Sequence, residues 1–263
     1  MRANQGLSLE EVKRAAPSVF AEQPWEEVSD KYRFIPTVGV LEGLMKEGFQ
    51  VVSARQSNTR IEGKGEFTKH ALRLRQPSSK AIRELGDLSF EVSLTNSHDR
   101  SSGFILDAGA FRLACLNGAV VAANGIQSHF SVRHSGNVGD VIEGVYEVVD
   151  TFPAIADQVR SWQGIKLSEV QQLGYATAAL ELSPSSIDIQ ARQLLAPRRS
   201  YDAAPDLFSV YNRVQEHLIK GGVRGIGTTG RRLRTREVTS IDADTKLNKA
   251  LWRLTEEMAK LVA

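Results

Sequence analysis

"EFTKHALRLRQ", residues 66–76, decides the fold class. On an extended chain Thr68, His70, Leu72 and Leu74 fall on one side, and Lys69, Ala71, Arg73 and Arg75 on the other. A period of two with leucines on one side is the mark of a half-buried strand, which puts three cations on its open face. Upstream, "FQVVSARQ" (49–56) reads as a partner strand, joined through the polar, glycine-containing "SNTRIEGKG" (57–65). Downstream, "LSFEVSLTNS" (88–97) carries Phe90, Val92 and Leu94 on one face, and "SSGFILDA" (101–108) answers it across the turn cluster "NSHDRSSG" (96–103). Two antiparallel hairpins result.

Helices surround them. Ser8-Leu9-Glu10-Glu11 is a capping-box pattern that starts a helix ending near Ala16, before Pro17. Thr37 is placed to cap a second helix, with Val38, Leu41, Leu44 and Met45 at helical spacing and Gly48 as its stop. From Ala108 the spacing of Phe111, Leu113, Ala114 and Leu116 predicts a third helix, halted at Asn117-Gly118. One or two further strands are expected in "AVVAANGIQSHFSVRHSGN" (119–137). Val138–Trp162 then reads as a long amphipathic helix that Pro153 must kink or break, followed by helices near 168–182, 204–219 and 240–261. The expected class is α+β: an antiparallel sheet of two β-hairpins flanked by helices, with a helical C-terminal half. The expected organisation is an N-terminal helical segment (1–30), an α+β core (31–165) and a helical C-terminal region (166–263) bearing a basic Gly/Arg-rich loop at 220–236.

The 263 residues, 41% hydrophobic and 24% charged, have the composition of a globular protein. One cysteine, Cys115, allows no intramolecular disulfide, and its place beside Leu113 and Leu116 reads as a buried thiol. With no apolar leader and no run long enough to span a bilayer, a cytoplasmic protein without membrane contact is expected. The net charge of +2 hides an uneven distribution. Between Arg192 and Arg236 ten Arg/Lys oppose Asp202, Asp206 and Glu216, a net +7, whereas residues 1–191 carry 19 basic and 23 acidic groups. Residues 51–83 form a second basic block, with eight Arg/Lys and two Glu. Concentrated positive charge is the electrostatic footprint of a polyanion binder.

The densest part is "KGGVRGIGTTGRRLRTREV" (220–238). Its Gly225-Ile226-Gly227-Thr228-Thr229-Gly230 matches the dinucleotide pattern G-x-G-x-x-G, but a helix precedes it and arginines follow, so neither the required strand nor the required helix is in place. The remaining features are glycines and an R-R-x-R-x-R run. In an extended chain Arg232, Arg234 and Arg236 project to one side at intervals of ~6–7 Å, comparable to phosphates on a stretched strand. With the glycines leaving the backbone free, the stretch reads as a mobile phosphate-gripping arm formed by Lys220, Arg224, Arg231, Arg232, Arg234 and Arg236, aided by Lys69, Arg73 and Arg75 on the sheet. No aromatic residue lies in 212–251, so a base-stacking platform is missing from this arm.

Catalytic candidates are weaker. Asn96, Ser97, His98 and Asp99 group an amide, a hydroxyl, an imidazole and a carboxylate, but neighbours on an extended chain point apart and build no relay. A hydrogen-bonded turn is the plainer reading, and such a turn can also offer N–H groups and His98 to a phosphate. A hydrolase built on His98 and Asp99 is a third-ranked alternative. His129 and His134 have no carboxylate or thiol beside them in sequence to complete a metal set, so no metal and no cofactor are expected.

Several segments resemble one family. These are "YRFIPTVGVLEGLMKEGFQ", "GEFTKHALRLRQ", "LTNSHDRSSGF", "FRLACLNG", "SGNVGDVIEGVYEVV", "LAPRR" with "KGGVRG", and "SIDADTKLNKALW". Together they are similar to the YfjQ/YafZ-like proteins of prophages and plasmids, a family with a domain of unknown function (number 932) and no established catalytic residues. The resemblance implies a mobile-element protein. The order helix, hairpin, hairpin, helix is also similar, in topology alone, to the core of phage single-strand annealing proteins of the RecT, Red-beta and Erf group. The function expected is non-enzymatic, sequence-independent binding of DNA with a preference for single strands, as an oligomeric ring or filament that anneals strands in phage or plasmid recombination or maintenance. The alternative is a mobile-element inhibitor that binds a host defence or restriction protein.

Overall fold

The computed structural model describes residues 6–26, 34–76, 88–112, 118–121, 128–132, 137–183 and 185–262. Two compact units are formed: residues 1–121 with 125–153, and residues 122–124 with 154–263. The division falls ahead of the 165/166 boundary expected from the sequence.

The first unit is built on an antiparallel sheet. Strands β1 (Gln50–Gln56), β2 (His70–Arg75), β3 (Leu88–Asn96) and β4 (Phe104–Arg112) pair in that order. The outer edge of β4 is shared by β5 (Gly118–Val120) along its second half and β6 (His129–Val132) along its first. Leu72 lies opposite Leu94, and Leu94 opposite Leu106, so the alternating apolar residues form one continuous face. Helix α1 (Leu9–Ala15) begins at the expected capping box, with Ser8 Oγ accepting from the Glu11 N–H and Glu11 returning to the Ser8 N–H. Helix α3 (Val138–Asp150) follows the predicted apolar spacing, whereas α2 (Thr37–Lys46) buries Val40, Leu41 and Leu44 and leaves Val38 and Met45 half-buried. Gly144 brings α3 close to the sheet: a Cβ there would stand 2.6 Å from the Phe130 ring and 3.0 Å from Leu106.

Two local expectations are corrected. The helix predicted from Ala108 is strand as far as Arg112, because Phe104, Leu106, Ala108 and Ala110 are buried at a period of two and β3 pairs with β4 over eight positions. The rest of that predicted helix, with Cys115, lies outside the described residues. Thr37 is not a cap. It is the first helical residue, Pro36 precedes it, and its hydroxyl is turned inward. The break expected at Pro153 is present: residues 138–164 form two helices, α3 and α4 (Phe152–Gly164), separated at Thr151.

The second unit holds most of α4 with α5 (Glu169–Glu181), α6 (Ala191–Leu194), α7 (Leu207–Lys220) and α8 (Ile241–Val262). Its core is aromatic: Trp162, Tyr211 and Trp252 lie within 4.6–6.3 Å of one another by ring centroids. Burial pushes the Tyr211 phenol well above its ordinary pKa, and the Tyr175 phenol upward as well, so both act as neutral hydroxyls. A small three-stranded sheet, β7 (Ile187–Asp188), β8 (Arg224–Gly227) and β9 (Arg232–Arg234), completes the unit.

Candidate nucleic-acid interface

The Gly/Arg-rich stretch is a β-hairpin and not a mobile arm. Helix α7 ends at Gly221 (φ +64°), and with Gly222 (φ +82°) the chain turns in two left-handed steps out of the helix and into β8. At Gly221 a Cβ would meet the Arg236 carbonyl group at 2.6 Å, and at Gly225 it would meet the Asp188 carbonyl oxygen at 2.2 Å. These glycines allow backbone to pack on backbone. Arg198, which lies far upstream, donates from Nη2 to the Gly221 carbonyl at 2.7 Å and fixes the same corner.

Register sorts the hairpin into two faces. Arg224 lies opposite Arg234, Ile226 opposite Arg232, and Asp188 of β7 beside Ile226, so all five share one face. This face forms a groove of about 850 Å3 whose lining includes the Gln190 and Gln193 side chains. Gly225, Gly227 and Leu233 belong to the other face. Arg224, Arg231, Arg232, Arg234 and Arg236 are exposed, and none is held in an ion pair among the described residues. Lys220 differs: its Nζ lies 3.3 Å from Glu237. Arg236 stands beyond the end of β9 and lines the groove on the opposite face, so the three-arginine row expected from the sequence is Arg224, Arg232 and Arg234 instead.

The net +7 of this region is divided by partner. Arg199 makes a two-pronged contact with Glu216 at 2.9 and 3.0 Å and reaches Asp202 at 3.1 Å. Buried Arg213 donates to the carbonyls of Asp202 and Ala204 and to Gln172. These cations, with Arg198, hold the scaffold.

The expected open basic face of the sheet is also corrected. Glu91 is fully buried, and Arg73 Nε and Arg75 Nη2 reach its two oxygens at 2.6 and 2.5 Å. β3 brings Glu91 between them because Arg73 is paired with Ser93 and Leu74 with Val92. The two guanidinium groups are only 13% and 12% exposed, a clamped cluster and not a free phosphate surface. Lys69 is half-buried.

The turn Asn96–Asp99 is equally internal. Asn96, Ser97 and His98 are fully buried, and the His98 N–H donates to the Phe67 carbonyl at 2.9 Å. Burial pushes the Asp99 carboxyl up, but hydrogen bonds from Ser101, Ser97 and Lys64 outweigh this and hold it below its ordinary value. The turn serves a polar knot centred on Thr37. The Thr68 carbonyl, 3.2 Å from His70 Nδ1, can only accept, so that nitrogen carries the proton, with Ser18 Oγ also 3.0 Å away. His70 Nε2 therefore accepts from the Thr37 hydroxyl at 3.0 Å. The Thr37 oxygen in turn accepts from Asn96 Nδ2 at 3.0 Å and His98 Nε2 at 3.2 Å. Burial drives the His70 pKa down to about 4, against gains from Thr68 and Asp99. His129, read as lacking a carboxylate, has one: Asp107 Oδ1 lies 2.7 Å from its Nδ1. Cross-strand pairing of β4 and β6 makes that contact, and nothing local in the sequence marks it. His134 lies outside the described residues. Among the described residues no group of three or more His, Cys, Asp or Glu is placed to hold a metal, and no helix is long and apolar enough to cross a membrane.

An α+β fold with a clamped ion cluster, a buried histidine knot and an arginine-faced hairpin is what the comparisons have to account for. The chain belongs to the family described as "Domain of unknown function (DUF932)", whose model matches residues 24–252. It is similar to the UPF0380 proteins YafZ and YfjQ of Escherichia coli K12, each 38% identical over 261 residues, covering 98% of this chain and 93% of the relative. No solved structure matches.

Proposed function

We propose that the hairpin Arg224–Arg236 binds the phosphate backbone of nucleic acid without regard to sequence, and that the protein acts by binding and not by catalysis. One observation carries the reading: Arg224, Arg232 and Arg234 project from a single face of a fixed hairpin and lack any ion-pair partner among the described residues. Three guanidinium groups share that face with a single carboxylate, Asp188, so the face keeps an excess of positive charge that a polyanion relieves. Alternate residues of β9 stand ~6–7 Å apart, which suits the phosphates of an extended single strand. Arg73 and Arg75 have no part in this, since Glu91 already holds them. The setting proposed is the bacterial cytoplasm, where a plasmid or prophage protein of this kind, assembled as an oligomer, holds single strands during recombination or maintenance and brings complementary strands together.

Replacing Arg224, Arg232 and Arg234 by Ala tests the reading through the salt dependence of binding to a labelled oligonucleotide. Each phosphate contact on a single strand contributes about 0.7 to the slope of log K against log salt, so the variant is expected to lose about 2 from it. Equal affinity and slope in variant and wild type would sink the assignment. A second reading is favoured by the exposure of Ile226 (54%) and Leu233 (45%) on the same hairpin: an acidic host protein docked there, as an inhibitor would dock. Purification of a one-to-one protein complex free of nucleic acid would favour it.

A further inference from the structure

The hairpin has a second groove. Its reverse face borders, through Leu233, a depression of about 510 Å3. Arg236 enters it, and so do the hydroxyl-bearing residues Ser183, Ser185, Ser186 and Thr235. Ile187 of β7 lies on this side while its neighbour Asp188 lies on the other, as alternation along a strand requires. Leu233, at the edge strand, borders both grooves. The hairpin is therefore a blade one sheet thick with a concave surface on each side, and each surface has its own arginine.

We propose that the two grooves take two different nucleic-acid strands, so that the blade stands where a duplex opens into single strands. The proposal rests on the nucleic-acid reading above and goes beyond it by naming the substrate as a forked junction. The chemistry of each side suits a phosphate backbone. Arg224, Arg232 and Arg234 supply charge on the first face. On the second, Arg236 with serine and threonine hydroxyls supplies one charge and several neutral donors beside the apolar Ile189, Leu218 and Val238. A sheet layer with its side chains occupies about 10 Å, enough to keep two backbones from re-pairing across it. Apolar Ile226 and Leu233 give the blade a surface on which an unstacked base can rest without competing for phosphate.

The test compares three labelled DNAs of equal strand length by fluorescence anisotropy: a single strand, a blunt duplex, and a fork with two unpaired tails. Engagement of both grooves by one molecule makes the fork bind at least about tenfold more tightly than the single strand. Arg236→Ala with Ser186→Ala is expected to abolish the fork preference while single-strand affinity stays within about twofold, because the first groove is untouched. Arg232→Ala with Arg234→Ala is expected to weaken both ligands. All these side chains are exposed or line open grooves, and matched circular dichroism melts confirm that the variants are folded. Equal affinity for fork and single strand, a preference for the blunt duplex, or a fork preference that survives the Arg236 variant overturns the two-strand proposal and leaves single-strand binding standing. Failure of the wild type to bind any of the three overturns the nucleic-acid reading itself.

Discussion

At Thr37 one hydroxyl satisfies three buried side chains, and this defines the most sensitive residue of the first unit. It donates to His70 and accepts from His98 and Asn96, joining the start of α2, strands β2 and β3, and the turn that follows. Thr37→Val keeps the shape and strands those partners. A loss of about 2–4 kcal/mol in stability is expected, measured by urea unfolding, since each buried polar group left unsatisfied costs about 1–3 kcal/mol. His70 adds a pH dependence. Its folded pKa of about 4 lies below the ordinary 6.5, so the unfolded chain binds the extra proton between those values. Stability is therefore fully present above pH 6.5 and falls as the pH drops toward 4. The total is about 3 kcal/mol from this group. In His70→Gln the slope of stability between pH 6.5 and 4 is expected to flatten; an unchanged slope would assign the acid sensitivity elsewhere.

Among the elements, the hairpin and the central sheet show how identical residue types take opposite roles. Arg73 and Arg75 are drawn inward because β3 supplies Glu91 beneath them, whereas Arg232 and Arg234 sit on a short edge strand with no acid opposite. Glu91→Gln leaves two half-buried guanidinium groups without their counter-charge. A destabilisation of about 3–5 kcal/mol is expected in thermal or urea melts, with nucleic-acid affinity little changed if the hairpin alone makes the contacts. Gly225 is the corresponding pivot of the hairpin. A Cβ at that position would overlap the Asp188 backbone, so Gly225→Ala must push β7 away from β8. Hydrogen exchange at Ile226 and Gly227 is expected to speed up in this variant while the amides of β3 stay protected; uniform exchange would show that the small sheet is not an independent element.

For the whole molecule the family match is informative in extent: it begins in the first unit and ends in α8, so both units belong to what its members share. An annealing role makes a demand that no single hairpin meets, because strands must be presented in register over many nucleotides. Mass photometry on a 60-nucleotide strand is expected to show several protomers per strand, and mixing of two complementary loaded strands is expected to yield duplex faster than for bare DNA at the same salt. A single protomer per strand at every loading would remove the annealing reading and leave simple binding.

Much of this protein was legible from residues within a few positions of one another. The capping box at Ser8, the alternation of β2 and β3, the stripe of α3 and the break at Pro153 all follow from local spacing, because helix and strand periods depend only on near neighbours. The strand at 108–112 was misread where alanines and a glycine blur that period. What tertiary structure alone decided is which polar groups are occupied. Arg73 finds Glu91 across 18 positions, His129 finds Asp107 across 22, and Arg198 finds Gly221 across 23. Charge is written in the sequence, but its neutralisation depends on strand pairing and on where a chain reversal leads. That is why the two basic stretches look alike in the sequence, while in the structure Arg73 and Arg75 are clamped on Glu91 and Arg224, Arg232 and Arg234 share one face of the hairpin without ion-pair partners among the described residues.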